Sequence, residues 1–163
     1  MVAAPHHLQR SDTAAAILRD IARHRLRYSR ARPEPSLLPS NMPGAAFVIP
    51  LPSMEEIFER IIRALDGAKG LRNGGAKLAR AARRGRYSPP RHDRLLHTLE
   101  MQQGLFGITL REWERHGGVP AEVLTLAMRA FMEFDAVRDD LEAMMDAAFR
   151  PEALAFDMEA MLS

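Results

Sequence analysis

Between Val123 and Ala148 the apolar residues Val123, Ala127, Ala130, Phe134, Val137, Leu141, Met144 and Ala148 recur at alternating steps of four and three. Only an α-helix gathers that spacing onto one face, and the pattern lasts for about seven turns. A chain carrying such an element must cover a long apolar face, with its own helices or with another molecule. Composition points the same way. One Trp, two Tyr and seven Phe leave Leu, Ile, Val, Met and Ala to build the core, which favours helices packed on helices over a β-sandwich. A length of 163 residues fits one domain with a loosely attached arm.

Read from its start, the chain offers Ser11 or Asp12 as the cap of a first helix reaching Tyr28. Ile17, Leu18, Ile21 and Ala22 share a narrow apolar face, and Arg19, Arg23 and Arg27 step along another side at intervals of four. Residues 29–52 then change character. Pro33, Pro35, Pro39, Pro43, Pro50 and Pro52 remove backbone donors and hold their predecessors out of the helical region. This segment reads as an extended linker, or as a strap whose Phe47-Val48-Ile49 lies on an apolar surface.

Residues 53–163 read as the core domain. Ser53-Met54-Glu55-Glu56 has the form of a capping box, and Ile57, Phe58, Ile61, Ile62 and Leu65 follow on one face. The spacing predicts a helix over 53–68, and Asn73-Gly74-Gly75 is expected to break it. A short basic helix over 76–84 comes next. Pro89-Pro90 opens a long helix over 91–116 with Leu95, Leu99, Gln102, Phe106, Leu110 and Trp113 inward. Gly104 and Gly107 within it predict a bend or the close approach of a neighbour. His116-Gly117-Gly118 ends that helix, Pro120 opens the helix over 120–149, and a short amphipathic helix over 151–162 completes the chain. The expected fold is all-α: a small helical bundle built on a long antiparallel hairpin of the 91–116 and 120–149 helices. The proline-rich arm tethers the N-terminal amphipathic helix to it.

The net charge of +2 hides an asymmetry, since 21 of the 23 basic residues are Arg and most precede Pro90. Residues beyond 90 carry the acidic excess, including the stripe Asp135, Asp139, Glu142 and Asp146. Two basic clusters, Arg19 to Arg32 and Lys77 to Arg86 with Tyr87 beside it, are candidates for contacting successive phosphates, with the tyrosine stacking on an exposed base. A GC-rich genome also yields a chain rich in Ala, Arg, Gly and Pro and poor in Lys. A solvated basic face, or one paired with the acidic stripe, is the plainer reading of the same residues.

Catalytic patterns do not surface. Cysteine is absent, which removes disulfides, iron–sulfur clusters and thiolate zinc sites. No Glu-x-x-His pair of a di-iron bundle, no His-Glu-x-x-His, no phosphate-binding Gly-x-x-x-x-Gly-Lys and no Gly-x-Ser-x-Gly elbow occurs. Asp93 with His97 and Glu112 with His116 are one turn apart, a spacing that surface helices produce by chance. A helix–turn–helix over 109–131 would present mainly Glu122, Thr125 and Arg129 to bases, a poor reading set. The arginine-rich segments have short, alanine-heavy apolar faces that give membranes little to bury. No apolar run long enough for an export signal or a membrane span is seen, so the cytoplasm is the expected location.

The chain is therefore expected to be a non-catalytic assembly or adaptor protein that needs no cofactor or metal and meets a protein partner or its own copies. Its expected interface is Phe131, Phe134, Leu141 and Met145, with Asp135, Asp139 and Glu142 setting charge complementarity. The alternative is a nucleic-acid-binding accessory protein using Lys77, Arg80, Arg83, Arg84 and Arg86 with Tyr87, together with Arg23 and Arg27.

Overall fold

The computed structural model describes residues 6–30 and 51–150. The proline-rich stretch from 31 to 50 and the C-terminal helix expected over 151–162 lie outside the described residues. Those residues form an all-helical bundle of α1 (His6–Arg30), α2 (Met54–Arg83), α3 (Pro89–His116) and α4 (Ala121–Ala148).

Helix starts follow their local chemistry. At α2 the Ser53 hydroxyl accepts the Glu56 N–H at 3.2 Å, and the Ser53 N–H donates to the Glu56 carboxylate at 2.8 Å. Both halves of a capping box are thus made. Pro89 and Pro90 occupy the first turn of α3, where their missing donors leave nothing unsatisfied. Gly117 closes α3 in the left-handed conformation at φ +70°, which a side chain would resist. α1 begins at His6, ahead of the expected cap, because no Gly or Pro between His6 and Ser11 interrupts it.

The largest departure from expectation is α2. Asn73-Gly74-Gly75 does not break it, and one continuous helix replaces the two expected over 53–68 and 76–84. The reason is packing. A methyl group at 74 would sit 3.0 Å from Leu95 Cδ1 on α3, and one at 75 would overlap Leu141 Cδ2 on α4. Glycine weakens an isolated helix by about 1 kcal/mol per residue, but here it admits two neighbouring helices to the α2 backbone.

α4 packs most extensively on α2, and the core is centred on that seam as well as on the α3–α4 pair. Contacts of 72 with 140 and of 75 with 141 and 144, ahead of a cluster of Leu78, Ala79, Ala82, Met145 and Ala148, make α2 and α4 parallel. α3 runs antiparallel to both, as Gly67 facing Gln102, Gly74 facing Leu95 and Gly107 facing Phe131 require. α1 lies antiparallel on α2 and α4, with Tyr28 beside Phe58 and Asp20 beside Arg129. Ile17, Ile21, Ile57, Phe58, Ile61, Leu99, Trp113, Val123, Phe134 and Val137 form the centre of the apolar interior.

Candidate functional site

Helix α4 shows what became of the expected interface. Phe134, Leu141 and Met145 are buried against the chain's own helices and cannot serve as docking anchors in this fold. The correction follows from the length of α2, which reaches Arg83 and covers the apolar face that shorter helices would have left open. Phe131 is half-buried and packs its ring edge 3.0 Å from the position a Cβ would take at Gly107. With Met128, Gly104 and Gly107 it lines a shallow groove of about 440 Å³ between α3 and α4, rimmed by Glu100, Arg111 and Glu114. Asp135 accepts the Gln103 amide at 2.7 Å. Asp139 and Glu142 are exposed further along α4.

The exposed apolar surface lies elsewhere. Met101, Leu105 and Ile108 on α3 are 52%, 60% and 49% exposed, and steps of four and three place them on one line. They point away from the Leu99, Phe106, Leu110 and Trp113 face that packs inward. On α4, Met128 and Met132 are also exposed. Single exposed apolar residues are ordinary on protein surfaces; here three stand in line on one helix. The signal was present in the sequence as a second four-three pattern, half a turn out of phase with the dominant one on the same helix.

The two basic clusters fare differently. Along α1, Arg25 is paired with Glu55 through two hydrogen bonds, its Nε donating at 2.9 Å. Arg27 Nη1 lies 3.5 Å from Glu122, and Arg23 Nη1 3.7 Å from Asp20. The hydrogen bond from Arg25 holds the Glu55 carboxyl below its ordinary range and raises the Arg25 guanidinium. Tyr28 is raised by burial and by donating to Glu122 at 3.2 Å. The candidate phosphate contacts Arg23 and Arg27 are therefore engaged with carboxylates of their own chain.

Lys77, Arg80, Arg83, Arg84 and Arg86 are all exposed, and among the described residues none has a carboxylate within ion-pairing distance. Lys69, Asn73, Lys77, Arg80 and Arg84 fall in one row along the outer side of α2, about 22 Å long at 1.5 Å per residue. Both lysines of the chain stand in it. Tyr87 is placed differently from the expectation. Its hydroxyl is 2.7 Å from His92 Nδ1, and its ring meets Phe149 edge-on at 4.9 Å between centroids, so it is not a free stacking platform.

Sequence reasoning missed one polar cluster altogether. Arg72 on α2 donates from Nε to Asp140 Oδ2 at 2.9 Å, and its Nη2 lies 3.6 Å from Glu133 Oε2. Both carboxylates stand on α4 and are only 5% exposed. The guanidinium lies between the two carboxylates and ties α2 to α4 at this level of the bundle.

Among the described residues no three His, Asp or Glu side chains converge as metal ligands, and no helix is long and apolar enough to cross a membrane. No protein-family model matches the chain, and no curated protein or solved structure matches it either.

Proposed function

We propose that this chain is a non-catalytic assembly or adaptor protein whose docking surface is the outer face of α3, in place of the α4 residues that the fold buries. The observation that carries the reading is the aligned, exposed set Met101, Leu105 and Ile108. Helices that present such a line to a partner bury it in a groove or against a second helix. The test is a photo-crosslinking amino acid placed at position 105 and, as a control, at the exposed Glu59 on α2. Irradiation in cell extract is expected to give a discrete adduct from position 105 and none from position 59. Failure of position 105 to give any adduct, in extract or with the concentrated protein, would remove the basis for the reading.

A second reading, nucleic-acid binding, is favoured by the α2 row, because among the described residues its cations make no ion pair while Arg23, Arg25 and Arg27 of α1 do. Three or four phosphate contacts give a slope of log K against log salt of about −3 on duplex DNA. Neutralising Arg80 and Arg84 together is expected to flatten that slope by about 2, whereas Arg23→Gln leaves it unchanged. Absence of binding to duplexes and single strands at low salt excludes this reading.

A further inference from the structure

We infer that the nucleic acid held by this chain is single-stranded, with a base stacked on Phe149 at the end of the bundle where α2 and α4 finish and α3 begins. This rests on nucleic-acid binding by the α2 row and names the form of the ligand.

Tyr87 is the ring that the basic run brings to mind, but the fold makes it a support for another. Its hydroxyl is held by His92, and its ring meets that of Phe149 with 85° between the planes. In an edge-on pair of this kind Tyr87 takes up at most one face of Phe149. The Phe149 side chain is 48% exposed, and among the described residues no other aromatic ring is as open. It does not stand on a loose end. The Phe149 N–H donates to the Met145 carbonyl at 3.1 Å, and Ala148 beside it is buried against α2. An anchored ring with an open face is what an unpaired base requires in order to stack.

The charge at this end is one-sided. Arg80, Arg83, Arg84, Arg86, Arg91 and Arg150 stand here against Asp93 and Asp146, all of them exposed. Among the described residues none of these makes an ion pair. Cations in the last turn of a helix gain from its dipole, which accounts for Arg80 and Arg83 on α2. That argument fails for Arg91, which stands in the first turn of α3, where a cation is disfavoured and no carboxylate answers it. Arg86 and Arg150 follow helix ends and adjoin Tyr87 and Phe149 in the chain, so each ring of the pair has a guanidinium beside it in sequence. The α2 row leads to the same place, since Arg84 closes it and Gly85, at φ +68°, turns the chain toward Arg86 and Tyr87. A duplex keeps its bases paired and stacked and leaves such a ring unused. A single strand supplies phosphates to the arginines and a free base to Phe149, with little preference among bases because every base has a π-face.

The experiment is fluorescence anisotropy of labelled probes of equal length with the full chain at low salt: an oligothymidylate, the same strand with abasic sites in place of its bases, and a duplex. An oligouridylate run in parallel distinguishes RNA from DNA as the source, and thermal unfolding of each variant is followed alongside. The oligothymidylate is expected to bind about tenfold tighter than the abasic strand, which carries the same phosphates. Phe149→Leu keeps bulk against Tyr87 and loses the ring, and is expected to bring the base-containing strand down to the abasic level. Phe149→Trp is expected to keep the affinity, and its fluorescence to be quenched by the bases, against the background of the buried Trp113. Equal binding of the thymidylate and abasic strands, a tighter duplex, or indifference to Phe149→Leu overturns the inference and leaves the α2 row to hold nucleic acid by its backbone alone. If Phe149→Leu melts well below the parent, the abasic comparison on the unaltered chain decides by itself. No binding to any of the probes removes both the inference and the reading on which it rests.

Discussion

Phe134→Ala is expected to lower the stability of the fold by about 3–5 kcal/mol, whereas Met132→Ala, two residues away, should change it by about 0.5 kcal/mol or less. Phe134 is 1% exposed and belongs to the main apolar cluster, while Met132 is 59% exposed. Truncating the phenylalanine removes its transfer free energy and leaves a cavity that α2 and α3 cannot close without shifting helices held at several other points. Urea denaturation followed by helical circular dichroism, with matched slopes for parent and variants, measures both. A near-neutral Phe134→Ala would mean that this side chain is not packed as described, and would return it to the list of docking anchors. The comparison separates a residue that builds the fold from one that is free to contact something else.

The second large effect is expected at Arg72. Arg72→Met removes the guanidinium that lies between Glu133 and Asp140, two carboxylates that are each 5% exposed. Breaking a buried ion pair from one side costs about 3–5 kcal/mol. The Arg72 side chain is itself 26% exposed, so solvent moderates the loss and about 3 kcal/mol is expected. Most of it should return when Glu133→Gln and Asp140→Asn are added, because the cost of buried carboxylate charge, and not the missing contact, dominates. Arg72→Lys should fall between, since an ammonium cannot serve two carboxylates in the plane of a fork. If Arg72→Met alone costs less than about 0.5 kcal/mol, water reaches the cluster and it does not hold α2 to α4.

These two sites also divide what the sequence made legible from what it did not. The cap at Ser53, the prolines opening α3, the stop at Gly117 and the inward faces of α3 and α4 were readable because each depends on residues within a few positions of one another. Periodicity says which side of α4 is apolar, but it does not say what covers that side. That answer lay in α2, where Gly74 and Gly75 carry opposite meanings locally and globally. To a sequence reader they end a helix; in the fold they are where Leu95 and Leu141 come closest. The same blindness hid Arg72, whose partners stand on another helix, 61 and 68 positions along the chain. It also made the two arginine clusters look alike, although Glu55, Glu122 and Asp20 accompany only the first. The exposed line on α3 was present in the spacing and was overshadowed by the stronger pattern beside it.

The parallel course of α2 and α4 bears on how the chain reaches this state. Neighbouring antiparallel helices such as α3 and α4 need only a tight turn to find each other, and their contacts are local. The α2–α4 seam, the most extensive among the described helices, joins segments separated by an entire intervening helix, so both connections must close before it rewards the chain. Connectivity thus lets the α2–α3 and α3–α4 corners condense early, and the locking of Arg72 between Glu133 and Asp140 is expected in the final consolidation. Contacts made last chiefly slow unfolding, so substitutions in the parallel seam are expected to speed unfolding more than they slow folding.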